Sequence, residues 1–442
     1  MPLSRLLPLV ALAAVLVACG NDGAPAPVAL ADLVRCDITQ ESCQRAIFES
    51  VAESLDADST SMPSIRTISV EQFEKEVRSG VSNDDLMGDD PETRGLRLIG
   101  FIPDAAESAT ETEIDYRVSA IAAYYSSGSG SITVIDRDYE VISAQSILAH
   151  EFVHAIQDQQ FGIRSVYADV STTDGVMGAR TVIEGDATYS SFAWVYEQLN
   201  YAPDSIDWDR IYLDFQEGSR EQAADLEIPI TASASGFPYS FGIELIGRAT
   251  QDQGLSGRAA FLMAPPPSAL ASMLGYEGFV TNGFTPIDAP EDAFPSPVAE
   301  SELALEDRYG AWYVLATLLR LGFNELAAWV YAGEWRGDEL GIFESGSEVV
   351  AVWRIRFAED PSFMVDAINE SDRDVAWSAV AQGNDVFIIA AESDASLALW
   401  EAQPLDVVAS VLASVPDVRK GISGTGPLRC NPPRFPVDDG LE

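Results

Sequence analysis

The stretch LAHEFVHAIQDQ, residues 148–159, holds both histidines of the chain, His150 and His154, with Glu151 between them. Residues at i and i+4 share one face of an α-helix, so the two imidazoles of HEFVH can direct two nitrogens at one metal ion. Glu151 is offset by about 100° around the helix. It falls beside the metal rather than on it, where it can take the proton of a water that zinc acidifies. Around the motif, Ile147, Leu148, Phe152, Ala155 and Ile156 recur on a wide apolar face. This predicts a helix over roughly residues 143–161 that holds the histidines inside the domain.

A zinc site of this kind needs a third protein ligand. The position six residues after His154 is Gln160, and no further histidine exists, which leaves a carboxylate from a following helix. Glu184, thirty residues after His154, stands in the apolar stretch TVIEGDA. An unpaired carboxylate there would be costly, and coordination would provide its partner. Asp174 and Glu197 are the alternatives. Asp186 is read as orienting a ligand histidine from behind. Asp158, at i+4 from His154, is read either in the same way or as part of a polar helix end before Phe161 and Gly162.

Upstream of the motif, ETEIDYRVSAIAAYY (111–125) reads as a helix, SSGSGS (126–131) as a turn and ITVID (132–136) as a short strand. MGARTVIEGDATYSSFAWVYEQLN (177–200) reads as a second helix, followed by a Pro- and Gly-rich middle that includes FPYSFG (237–242) and the loop PPP (265–267). Residues 302–333 read as two helices. EVVAVWRIRF (348–357) and DVFIIAAES (385–393) read as strands, mixed with short helices such as DVVASVLASV. The RGD within EWRGD (334–338) reads as a turn before a strand rather than an adhesive signal.

The fold class is α+β. A mostly helical core over 97–335 carries a short edge strand, and a smaller α+β lobe follows over 336–442. A helical N-terminal segment, 33–96, precedes the core and includes the acidic linker SNDDLMGDDPETRG. Residues 1–18 read as a signal peptide. Their apolar run LLPLVALAAVLVA is shorter than the roughly 20 residues a spanning helix needs. LVAC places a lipidated Cys19 as the first mature residue, with 19–32 as a flexible tether. The expected location is therefore outside the cytoplasm, on a membrane through that lipid, in the periplasm or at the cell surface. An oxidising compartment permits one disulfide among Cys36, Cys43 and Cys430. No CxxC pair offers a cysteine zinc site.

The chain of 442 residues carries a net charge of −44, with lysine only at Lys75 and Lys420. Such a surface repels phosphate backbones and excludes nucleic acid as a partner. It suits either a salty environment or simple solubility. No DxDxDG calcium loop is present.

HEFVH followed by Glu184 resembles the gluzincin class of zinc metallopeptidases, to which thermolysin belongs. More widely, HEFVHAIQDQQF, VIEGDA, PYSFG, the PPPS segment and EWRGD resemble secreted bacterial HEXXH lipoproteins over roughly residues 97–360. The resemblance implies Zn2+ on His150, His154 and Glu184, Glu151 as general base, and a peptide or protein substrate lying along ITVID. Thermolysin-like enzymes use a further histidine for the oxyanion, and this chain has none. Tyr239 in PYSFG is the first replacement, with Tyr189 and Arg180 behind it. Two other readings stay open: a zinc-binding but proteolytically silent surface lipoprotein, and a binding protein in which HEFVH is incidental.

Overall fold

The structure is a computed structural model that describes residues 36–57, 59–79, 90–103, 114–115, 117–119, 121–168, 170–275, 301–371, 373 and 375–403. Residues 1–32 with Cys19, residues 80–89, DVVASVLASV and Cys430, for which the sequence raised expectations, lie outside them. Cys36 and Cys43 form a disulfide. It closes onto the start of the first helix, α1 (Glu41–Ser54).

SIRTIS forms β1 (Ser64–Ser69), and the amphipathic VEQFEKEVRS forms α2 (Val70–Ser79). α3 (Pro91–Leu98) starts at Asp90, whose side chain accepts the Thr93 amide, with proline in its first turn. The N-terminal segment is thus not wholly helical. β1 joins β2 (Ala123–Ser126) and β3 (Ser131–Asp136) in a three-stranded sheet of order β1-β3-β2, with β1 parallel and β2 antiparallel to β3. ITVID is therefore the central strand and not the edge. SIRTIS is too polar to read as a strand, yet it pairs along the outer side of β3. AYYS, expected at the end of a helix, is β2 and forms an edge of the sheet.

The motif helix is α4 (Val141–Phe161), and it stops at Gly162, whose φ of +72° favours glycine. It is buried on most of its circumference, because α1 covers one side, through the edge-on contact of Phe48 and Phe152, and the next long helix covers the other. After a single turn, α5 (Ile163–Val166), comes α6 (Thr173–Gln198), 26 residues long and capped by the Thr172 side chain. At 1.5 Å per residue it spans about 39 Å. α7 (Trp208–Ala224), α8 (Ile230–Gln253), α9 (Leu255–Met263) and α10 (Ala269–Met273) follow. The PYSFG segment, expected in irregular chain, lies inside α8 with Pro238 in mid-helix. α8 crosses α6 where Gly185 meets Gly242, so closely that a Cβ on Gly185 would stand 2.3 Å from the Gly242 carbonyl carbon. That backbone contact, which only glycine allows, helps offset the hydrogen bond that Pro238 cannot make.

β4 (Ser301–Asp307), α11 (Ala311–Arg320), α12 (Glu325–Gly333), β5 (Trp335–Ser345), β6 (Glu348–Phe357), α13 (Ser362–Glu370), β7 (Ala376–Gln382), β8 (Asp385–Ala391) and α14 (Asp394–Glu401) complete the described chain. Their strands form an antiparallel sheet of order β4-β5-β6-β8-β7. ELALED, expected to open a helix, is β4. Its alternating Leu303, Leu305 and Asp307 follow the strand period. The sheet therefore draws its first strand from before residue 336. A cluster of Phe101, Tyr309, Tyr313, Trp312 and Trp353 packs the helices onto it. Asp338 of EWRGD is fully buried, and its carboxylate accepts from the amides of Tyr309 and Gly310 and from the indoles of Trp335 and Trp353. The segment opens β5 and displays no surface signal. The fold is α+β. Among the described residues no helix is long and apolar enough to cross a membrane.

Candidate metal centre

α4 and α6 lie side by side and present three donors to one point. His150 Nε2 is 3.0 Å from His154 Nε2 and 3.2 Å from Glu184 Oε2, and His154 Nε2 is 3.4 Å from the same oxygen. A tetrahedral ion bound at about 2.0–2.1 Å would place its ligand atoms about 3.3 Å apart. The triangle has that size. The donor set, two imidazoles and a carboxylate, suits zinc. Among the described residues this is the one group of three or more His, Cys, Asp or Glu side chains able to hold a metal ion. His154 and Glu184 are buried, while the His150 side chain keeps 16% of its surface exposed. The centre therefore has an open side.

Behind the triangle lies a hydrogen-bond chain. His154 Nδ1–H donates to Gln157 Oε1 at 2.9 Å. The Gln157 amide is oriented unambiguously, because its Nε2 donates to the Ile183 carbonyl at 2.9 Å and to Asp186 Oδ2 at 2.6 Å. With Nδ1 so engaged, Nε2 is the His154 nitrogen that faces Glu184 and the metal position, and it is the one left to bind an ion once deprotonated. Asp186 is paired in turn with Arg258 at 2.5 Å, and all four side chains are buried. Asp186 thus supports His154, but through Gln157. Asp158 does not: its carboxylate accepts from the Tyr125 hydroxyl and the Ile163 amide. Position i+3 also shares a helix face with i, so Gln157 was available to a sequence reading. Arg258 had no local signal.

Electrostatics match this arrangement. Burial pushes the Glu151 carboxyl up, against the pull of the two imidazoles and of a hydrogen bond from the Tyr125 backbone. Burial would lower His154, but the Glu184 carboxylate outweighs it and the group is pushed up to about 9. Burial would raise Glu184, but His154, His150 and Arg180 hold it well below the usual carboxylate range. Without metal, these directions favour an imidazolium at His154 beside an ionised Glu184. A divalent cation can take the place of the imidazolium proton.

The remaining residues singled out by sequence divide clearly. The Tyr239 ring lies nearly parallel to that of His150, with centroids 5.9 Å apart. Arg180 pairs with Glu184 from one turn earlier on α6. Tyr189 lies elsewhere, against Trp208 and Gly247. Asp174, at the start of α6, accepts from Ser268 and the Ala269 amide, and Glu197 stands near the far end of that helix. Neither joins the triangle. PPP 265–267 packs its Pro266 carbonyl against Gly178 of α6. Comparison with protein-family models, curated proteins and solved structures returns no match.

Proposed function

We propose that this protein is a zinc-dependent peptide hydrolase of gluzincin type, working outside the cytoplasm and held to a membrane by a lipid on Cys19. The observation that carries the reading is the three-donor triangle with an open side and with Glu151 next to it but outside it. A structural zinc site closes its fourth position with a side chain and needs no base.

His150, His154 and Glu184 would hold the ion. Bound there, zinc supplies a Lewis acid that polarises a carbonyl and makes a neighbouring water acidic. Glu151 accepts the proton of the attacking water and returns it to the leaving amine. Its burial-raised pKa suits a group that must both take and give a proton. Tyr239, stacked on His150, is the donor assigned to the developing oxyanion in place of a further histidine. The outer edge of β2, whose Tyr125 backbone hydrogen-bonds Glu151, would offer its remaining backbone groups to an extended peptide.

The test is metal content by plasma mass spectrometry on residues 20–442. Wild type is expected to carry close to one zinc per chain and Glu184→Gln far less. A peptide-library digest should then show cleavage that Glu151→Gln abolishes with zinc retained. A wild type that stays metal-free with zinc supplied ends this reading. Bound zinc without Glu151-dependent cleavage leaves the silent metal-binding protein, which the absent histidine donor favours.

A further inference from the structure

The two oxygens of Glu184 face different partners. Oε2 belongs to the donor triangle, at 3.2 and 3.4 Å from the two imidazole nitrogens. Oε1 faces Nη2 of Arg180 at 3.5 Å. Arg180 and Glu184 stand at i and i+4 on α6, which puts them on one helix face. The guanidinium is largely withdrawn from water: its side chain is 18% exposed, and its Nε is buried without a hydrogen-bond partner. The guanidinium is thus held against the outer oxygen of Glu184 with little water around it.

A carboxylate beside a divalent cation can offer one oxygen or two. Two would raise the coordination number and crowd the position that a catalytic zinc site leaves open. A cation on the outer oxygen favours the one-oxygen mode. We infer that Arg180 is a positioning residue that keeps Glu184 a one-oxygen ligand and so keeps the open side of the centre open. Arginine fits the role because its charge is permanent and its donors lie in a rigid plane. The inference rests on the metal reading above.

Cobalt(II) in place of zinc tests it, because the intensity of its visible absorption falls as coordination rises beyond four. The mature full-length chain is loaded with cobalt as wild type, Arg180→Gln, Arg180→Met and Arg180→Lys, with folding checked by circular dichroism. Both neutral variants are expected to bind cobalt and lose visible intensity. The lysine variant, which keeps a charge on Oε1, should retain the wild-type band. With zinc, kcat for peptide hydrolysis should fall in the neutral variants while KM holds. An unaltered band in a folded neutral variant overturns the inference, as does complete loss of cobalt binding, which would make Arg180 necessary for affinity rather than for coordination mode. A wild type that takes up no cobalt overturns the metal reading itself.

Discussion

Replacing Gly185 with alanine should damage the metal centre from a position that touches no metal. A Cβ at Gly185 would stand 2.3, 2.4 and 2.5 Å from the carbonyl carbon, oxygen and Cα of Gly242. Carbon atoms in good contact lie about 3.5–4.0 Å apart, so α6 and α8 would have to separate by roughly 1 Å. The obstructing atoms are backbone in the middle of long helices, and no flexible side chain can give way. Overpacking of this kind costs about 1–3 kcal/mol and occasionally more, and this contact belongs at the upper end. Glu184 is the adjacent residue. A displacement of about 1 Å would spoil triangle sides of 3.2 and 3.4 Å, because ligand positions tolerate only about 0.2 Å. The assay pairs guanidinium unfolding of the metal-free protein with zinc titration against a competing chelator. Gly185→Ala should lose about 3 kcal/mol of stability and at least tenfold in zinc affinity, tenfold being about 1.4 kcal/mol. A folded variant with unchanged midpoint and unchanged affinity would refute the argument that the glycine crossing sets the helix spacing.

Gln157→Ala should leave the fold intact and weaken zinc binding by about 10–100-fold, since His154 loses the group that fixes its tautomer; a chelator titration checks it. Arg258→Met should cost about 3–5 kcal/mol by stranding the buried Asp186 carboxylate, and Asp186→Asn in the same chain should recover part of that loss in denaturant unfolding. Burial and the nearby Asp338 raise Asp174 from its ordinary 3.8 to about 7. The folded state therefore holds a proton there that the unfolded chain releases. The contribution of Asp174 to stability should fall as pH rises from about 4 to about 7, by at most about 1.4 kcal/mol per unit. Asp174→Asn should flatten that slope in thermal melts across the range, and an equal slope in variant and wild type would exclude the assignment.

What the sequence determined alone is whatever depends on local geometry. The i, i+4 spacing of HEFVH puts both histidines on one helix face and turns Glu151 away, and that holds for any helix whatever surrounds it. TVIEGDA marks Glu184 because a carboxylate in an apolar stretch needs a partner. Periodicity located α4, α6, β6 and β8 to within a few residues. Features that join distant segments came only from packing. Pro238 is helical because α8 lies against α6 at Gly242, an energy that no window around PYSFG contains. ITVID is central because a polar strand far upstream pairs with it. His154 relies on Gln157 rather than Asp158 because Asp186 and Arg258 close the network on that side, whereas Tyr125 draws Asp158 away. A helix carries its own hydrogen bonds and can be read from its own residues. The partner of a buried polar group is set by which segments packing brings together.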